Sequence, residues 1–178
     1  MKKLCFFILL LISLNSFSQS RNDIRKSGDI LQIILPASAA LSTFIWNDDS
    51  KPTWQFVKAF SVSFATTQAF KRIINKSRPD GGVHAFPSGH TSASFTGAAF
   101  LERRFGWKIG IPAYILASYV GWSRIYSKKH DGWDVFAGAI VGIGSSYLFA
   151  KPYQEKKLNV AFQKVKTGGY LISMKYTF

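Results

Sequence analysis

From Ile30 to Trp46 the chain is apolar apart from small or neutral polar residues, which predicts a helix that Pro36 should kink. Asn47-Asp48-Asp49-Ser50-Lys51-Pro52 reads as a turn cluster, and Thr53 to Lys76, rich in Phe and small residues, predicts a second helix. A loop full of helix breakers follows, from Ser77-Arg78-Pro79-Asp80-Gly81-Gly82 to Pro87-Ser88-Gly89. Beyond it lie a short small-residue helix from about His90 to Glu102 and an apolar helix over Ile109 to Tyr126, with Pro112 near its start. The last helix runs from about Gly132 to Ala150, where Pro152 would stop it. Within it Gly138, Gly142 and Ser146 stand in one row, an arrangement that lets a neighbouring helix approach closely or merely tolerates helix.

The period then changes to two. Leu158, Val160 and Phe162 alternate, as do Tyr170, Ile172, Met174, Tyr176 and Phe178, around Thr167-Gly168-Gly169. Such a tail looks like the last strand of an outer-membrane barrel, but one hairpin cannot close a barrel, so a packed or surface hairpin is favoured. The fold expected is all-α, a bundle of about five or six helices with a small C-terminal β-hairpin.

The first residues bear on the compartment. Lys2 and Lys3 precede the apolar run Leu4 to Ile12, and Ser16-Phe17-Ser18 offers small residues for cleavage. Residues 1–18 thus read as a signal peptide rather than an uncleaved anchor, the run being short for a membrane span. That leaves residues 19–155 as the helical domain and 156–178 as the tail. Export to the periplasm or envelope follows, and Cys5, the only cysteine, would be lost with the leader. Disulfides, zinc–thiolate sites and cysteine nucleophiles are then excluded.

A chain of 178 residues suits one domain, and 47% hydrophobic residues exclude a disordered polar chain. A mean hydropathy of +0.06 argues against a chain made only of lipid-facing helices. The net charge of +14 calls for an anionic partner. Export makes nucleic acid a poor one and leaves an anionic membrane surface or a phosphorylated substrate. No acid lies between Asp49 and Asp80, where Lys51, Lys58, Lys71, Arg72, Lys76 and Arg78 all fall. Lys51, Lys58, Arg72 and Lys76 read as a surface for anionic membrane.

Lys71 and Arg78 are seven residues apart, about two helical turns if the helix persists, so both could face one phosphate. Pro79 disfavours helix at Arg78 and should let its guanidinium swing inward from the helix end, although for these two residues alone a solvated basic face is the favoured reading. Pro87-Ser88-Gly89-His90 precedes a helix: Ser88 can cap it, Gly89 lets backbone approach a ligand, and the free N–H groups attract an anion. His90 at such a site could protonate a leaving oxygen, although a Pro-Ser-Gly turn is also ordinary. His130 and Asp134 are i and i+4, which lets the carboxylate hold one imidazole nitrogen and leave the other to attack; plain surface pairs share that spacing. Arg124 adds another phosphate donor. Three histidines and an aspartate could bind zinc, but Lys71, Arg78 and Arg124 would repel a divalent ion and stabilise a phosphoryl group.

In their order and joint spacing, Lys71-x6-Arg78-Pro79, Pro87-Ser88-Gly89-His90 and Ser123-Arg124-x5-His130-x3-Asp134 resemble the three-part signature of the type 2 phosphatidic acid phosphatase family. Every signature position is matched, and the region from about Ile30 to Ala150 looks like the family's helical layout. The resemblance implies a helical-bundle phosphatase with no metal and no other cofactor. It implies His130 as the nucleophile forming a phosphohistidine, Asp134 as the group orienting it, and His90 as the acid for the leaving alcohol and base for the water. Lys71, Arg78, Ser88, Gly89 and Arg124 would bind the phosphate. His84 lies outside the signature and is expected to be a loop histidine near substrate.

The function expected is hydrolysis of a phosphomonoester or diphosphate on a membrane lipid such as phosphatidic acid, phosphatidylglycerol phosphate, a polyprenyl diphosphate or lipid A. A soluble periplasmic acid phosphatase for small phosphoesters is the alternative. The signature also resembles that of vanadium-dependent haloperoxidases, generally much larger proteins. A non-catalytic envelope-binding protein would leave a complete catalytic set unexplained. Oligomeric state is not legible.

Overall fold

Five helices and a hairpin follow one another along the chain: α1 Arg21–Ile45, α2 Pro52–Ile74, α3 Gly89–Phe105, α4 Trp107–Tyr126, α5 Gly132–Phe149, β1 Lys157–Lys164 and β2 Tyr170–Thr177. The structure, a computed structural model, describes residues 20–47 and 51–153 with their side chains, and the backbone of 157–164 and 170–177. The expected signal peptide, Asp48-Asp49-Ser50 of the turn cluster and the Thr167-Gly168-Gly169 turn lie outside the described residues. An all-α bundle is what the hydrophobic pattern predicted.

Helix boundaries follow from caps rather than from apolar runs. α1 begins nine residues before Ile30, because Ser20 caps it: its Oγ accepts from Asp23 N at 3.3 Å. It continues through Pro36 to Ile45. α2 stops at Ile74, with Asn75 in the left-handed region at φ 42°. This corrects the two-turn argument for Lys71 and Arg78: the helix does not persist to Arg78, which projects from the α2–α3 loop. Gly106, at φ 78°, makes the tight join between α3 and α4.

Composition explains why α3 lies at the centre. Its sequence, GHTSASFTGAAFLERRF, is dominated by small residues, and it packs against all four other helices. A Cβ on Gly97 would sit 2.7 Å from the backbone of Leu35 and Pro36, so α1 crosses α3 at near backbone contact. The row on α5 is used in the same way. Cβ atoms on Gly138 and Gly142 would lie 2.6 Å from Ser88 O and 2.5 Å from Ser92 O, while Ser146 Oγ donates to Thr96 O at 2.8 Å. The open question about that row is thus resolved as close approach. Leu35, Ala39, Phe56, Ala98, Phe100, Ala113 and Ala117 fill the core.

The exterior is the apolar side of the molecule. Ile33, Leu41, Phe44, Trp54, Phe64, Ile73, Trp107, Ile111, Ile115, Trp133, Phe136 and Leu148 are exposed large hydrophobics, while Ser63, Thr67, Ser92, Ser94, Thr96 and Arg124 are buried. Water favours the reverse distribution. α1 is, among the described residues, the one helix long and apolar enough to cross a membrane. In the antiparallel hairpin Leu158, Val160 and Phe162 pair with Tyr176, Met174 and Ile172, so the alternating apolar positions share one face.

Up-and-down connection brings the start of α1, the α2–α3 loop and the α4–α5 loop to one end of the bundle. The amino ends of α3 and α5 meet there, each offering unsatisfied N–H groups.

Candidate active site

The α2–α3 loop is fastened to α5 rather than left free. Ser88 N donates to Asp134 O at 2.9 Å, and Ala85 N donates to Lys76 O at 2.8 Å. Phe86–Pro87 is a cis peptide bond. Ser88 is fully buried and caps α3 as expected, its Oγ accepting from Thr91 N at 3.4 Å and from Thr91 Oγ1 at 2.9 Å. These bonds set Gly89 and His90 at the first turn of α3, facing a cavity.

That cavity has two lobes with a common wall of Arg78, His90 and His130. One lobe, of about 370 Å³, is lined also by Lys71, Gly89, Phe60, Phe64 and Ala93, mixing cationic and apolar surface. The other, of about 190 Å³, is lined also by Arg25, Asp29, Arg124 and Lys129. The expected site residues from three separated stretches of sequence therefore converge, although Ser88 and Asp134 stand behind the cavity wall. Arg78 Nε is buried and makes no hydrogen bond within the protein. A buried guanidinium N–H left this way is a donor awaiting an acceptor.

His130 and Asp134 are not paired within a helix. Asp131 is the N-cap of α5 and Asp134 occupies the third helical position, so the carboxylate reaches back across a capping box. Asp134 N donates to Asp131 Oδ1 at 3.0 Å, and Asp131 N donates to Asp134 Oδ2 at 3.1 Å. Asp134 Oδ2 then stands 3.4 Å from His130 Nδ1, which is buried and has no hydrogen-bond partner. The two groups are within contact but make no hydrogen bond in this state; catalytic hydrogen bonds of this kind often tighten only when substrate is bound. Burial, with the Lys71 cation adding to it and Asp134 opposing, pushes His130 down to about 4. Its imidazole is therefore neutral at physiological pH.

Lys76 was expected on the membrane-facing basic surface, and the structure corrects this. Its Nζ donates to Asp134 Oδ1 at 2.8 Å and also to Asp131 Oδ2. Burial alone would lower Lys76, but the two carboxylates outweigh it and hold its ammonium above the usual value. Asp134 is fully buried, so Lys76 and the capping N–H supply the charge and hydrogen bonds that a buried carboxylate needs.

Lys71 Nζ donates to His84 O at 2.8 Å, and His84 Nδ1 is 2.9 Å from Lys71 O. His84 is exposed and absent from the walls of both lobes; it tethers Lys71 rather than meeting a ligand there. Arg124, 2% exposed, donates from Nη1 to Asp29 Oδ1 at 2.6 Å, from Nη2 to Arg25 O at 2.6 Å, and from Nε to Ser123 Oγ at 3.1 Å. Asp29 Oδ1 also lies 2.9 Å from His90 Nε2. Sequence reasoning missed Asp29, Arg25, Lys76 and Asp131. The signal for Asp29 was an acid at the threshold of the apolar stretch that begins at Ile30; for Asp131, the Asp-x-x-Asp spacing at a helix start.

Among the described residues no three His, Cys, Asp or Glu side chains converge as a metal-binding group. The cations that line the cavity suit an anion with several oxygens, and the two histidines on its wall can attack it and move a proton.

Comparison with known proteins agrees. A family model described as the PAP2 superfamily matches residues 38–157. The chain is 35% identical over 71 residues to the lipid A 4'-phosphatase of Helicobacter pylori, covering 40% of this chain and 36% of that protein. It is 37% identical over 127 residues to the lipid A 1-phosphatase of Porphyromonas gingivalis, covering 66% of this chain and 28% of that protein. The chain thus spans about a third of the length of these relatives. The crystal structure of Aquifex aeolicus LpxE superposes with a TM-score of 0.63 at 21% identity, covering 80% of this chain and 92% of that one, and shares the fold.

Proposed function

The chain belongs to the PAP2 superfamily, and from that premise we propose that it is a membrane-associated lipid phosphatase working through a phosphohistidine on His130. The observation that carries this reading is the common wall of Arg78, His90 and His130 between a cationic lobe and a partly apolar one. A phosphoryl group held by Lys71, Arg78, Arg124 and the N–H groups around Gly89 lies beside two histidines, with Phe60 and Phe64 next to its ester substituent.

In the first step an imidazole nitrogen of neutral His130 attacks phosphorus, and the bond to the ester oxygen breaks. His90, which burial and the neighbouring Arg124 push below the ordinary histidine value against the pull of Asp29, must enter this step protonated; it gives that oxygen a proton, so the alcohol departs neutral. In the second step His90 takes a proton from water, whose oxygen attacks the phosphohistidine and returns inorganic phosphate and free His130. Asp134, itself held by Lys76, keeps the His130 ring oriented and balances the imidazolium charge.

The apolar exterior and the apolar α1 support residence in a membrane, and the named activities of the relatives support a phosphorylated lipid such as lipid A. Export and removal of residues 1–18 complete the reading, with residues 19–155 as the catalytic domain and 156–178 as a separate tail. The test is phosphate release in detergent micelles with excess chelator. The panel runs from lipid A, phosphatidic acid, phosphatidylglycerol phosphate and a polyprenyl diphosphate to small soluble phosphomonoesters. Preference for a lipid is expected; equal or better turnover of the small esters would favour the soluble acid phosphatase, and loss of activity with chelator would contradict the metal-free step.

The pH dependence has a definite sign. His130 must be neutral to attack, and its environment holds it near 4 rather than the ordinary 6.5. The acid limb of kcat/KM on a lipid phosphate should therefore fall well below pH 6. An acid limb at 6.5 or above would mean that the nucleophile titrates as an exposed histidine does.

A further inference from the structure

We propose that Asp29, on α1, is a positioning residue for His90 and Arg124, the group that fixes which nitrogen of His90 handles the substrate proton. The proposal rests on the phosphatase reading above. It begins from a packed junction rather than from a surface pair. α1 comes so near α4 at Gly28 that a Cβ there would lie 2.1 Å from Ser123 Oγ and 2.5 Å from Arg124 Nη2. One helical turn of α1 then grips Arg124 at two points, Arg25 O and Asp29 Oδ1, each 2.6 Å from a guanidinium nitrogen. The same Oδ1 is 2.9 Å from His90 Nε2. Asp29 is thus the common acceptor of an acid-base histidine and a buried arginine, and it lines the cationic lobe beside both.

The consequence for His90 is chemical. With Nε2–H donating to Asp29, that nitrogen keeps its proton throughout, and only Nδ1 is left to exchange one. In the first step the Nδ1 proton passes to the ester oxygen as the phosphorus–oxygen bond breaks, and His90 becomes the neutral Nε2–H tautomer. In the second step Nδ1 accepts a proton from the attacking water, restoring the imidazolium. Without the carboxylate the neutral ring can hold its proton on either nitrogen, and a share of molecules has no basic Nδ1. The Arg124 contacts keep the junction rigid: one N–H on Nη1 remains for phosphate, while the rest of the guanidinium is committed to Asp29, Arg25 O and Ser123 Oγ.

The test compares Asp29→Asn and Asp29→Ala with wild type on two phosphate monoesters of similar apolar bulk, one releasing an alkoxide and the other a nitrophenolate. A nitrophenolate leaves without help from an acid, so a defect acting through His90 should shrink on it. We expect kcat/KM, which reports the first step alone, to fall about tenfold or more on the alkyl ester and less than about threefold on the aryl ester. Asp29→Glu should recover part of the alkyl-ester rate if reach permits. Equal losses of kcat/KM on both esters, wild-type values on both, or a loss on the alkyl ester carried by KM alone would each overturn the proposal. His90→Ala serves as the reference: if it lacks the same asymmetry, or if wild type releases no phosphate, the phosphatase reading fails instead.

Discussion

His130→Ala should lower kcat on a lipid phosphate by about 10⁴-fold or more, because the other histidine on the wall, His90, is tied to Asp29 and serves as the acid and base. The substitution is a clean one. His130 makes no side-chain hydrogen bond, so removing the ring leaves no buried group newly unsatisfied. Its backbone N–H, which donates to Arg124 O at 3.3 Å, is untouched. The ring is 4% exposed, so some packing is lost, and the melting temperature in detergent should fall by only a few degrees. Phosphate release and thermal unfolding, measured on the same preparation, separate the two effects. A variant that is folded and retains more than a few per cent of the rate would remove His130 from the nucleophile role.

Lys76→Met should cost stability and activity together. The substitution keeps most of the side chain's length but leaves Asp134 fully buried without its cation. Breaking a buried ion pair by removing one partner costs about 3–5 kcal/mol when both charges are sequestered. Here Lys76 is 33% exposed and water can screen part of the loss, so about 2 kcal/mol is the reasonable expectation. The capping N–H bonds remain, but Asp134 loses the bond on Oδ1 that holds its plane, and the carboxylate is freer to turn from His130. Lys76→Arg should restore most of the stability. An unchanged melting temperature for Lys76→Met would show that the capping box alone satisfies the carboxylate.

The residues that the fold gathers at this end of the bundle were legible because most carry chemistry in their own side chains and all lie in a spaced pattern: Lys71 and Arg78, Ser88 to His90, and Arg124 with His130 and Asp134. The helical layout was legible too, and alternation from Leu158 to Tyr176 marked the hairpin, whereas the row Gly138, Gly142 and Ser146 left close packing and mere tolerance of helix open until α3 was seen against it. What could not be read depends on chain direction in space. That Arg78 leaves the helix was legible from Pro79, but not that Asn75 ends α2 or that Arg78 N donates to Gly82 O at 2.7 Å to close the loop that brings the guanidinium in. Lys76 looked like one more surface cation because nothing in its neighbourhood shows that residues 131 and 134 return to meet it. Asp29 lies 61 positions from His90 and 95 from Arg124, a separation across which no local pattern operates.

The central claim is that phosphate passes through His130, and trapping the intermediate tests it most directly. Wild-type protein in micelles, given a lipid phosphate labelled at phosphorus and quenched within a turnover, should carry label that survives alkali and is lost in acid, as a phosphoramidate bond requires. The label should map to the peptide containing His130 and be absent from His130→Ala. Hydrolysis by wild type without any such label, or label retained by His130→Ala, would contradict the account.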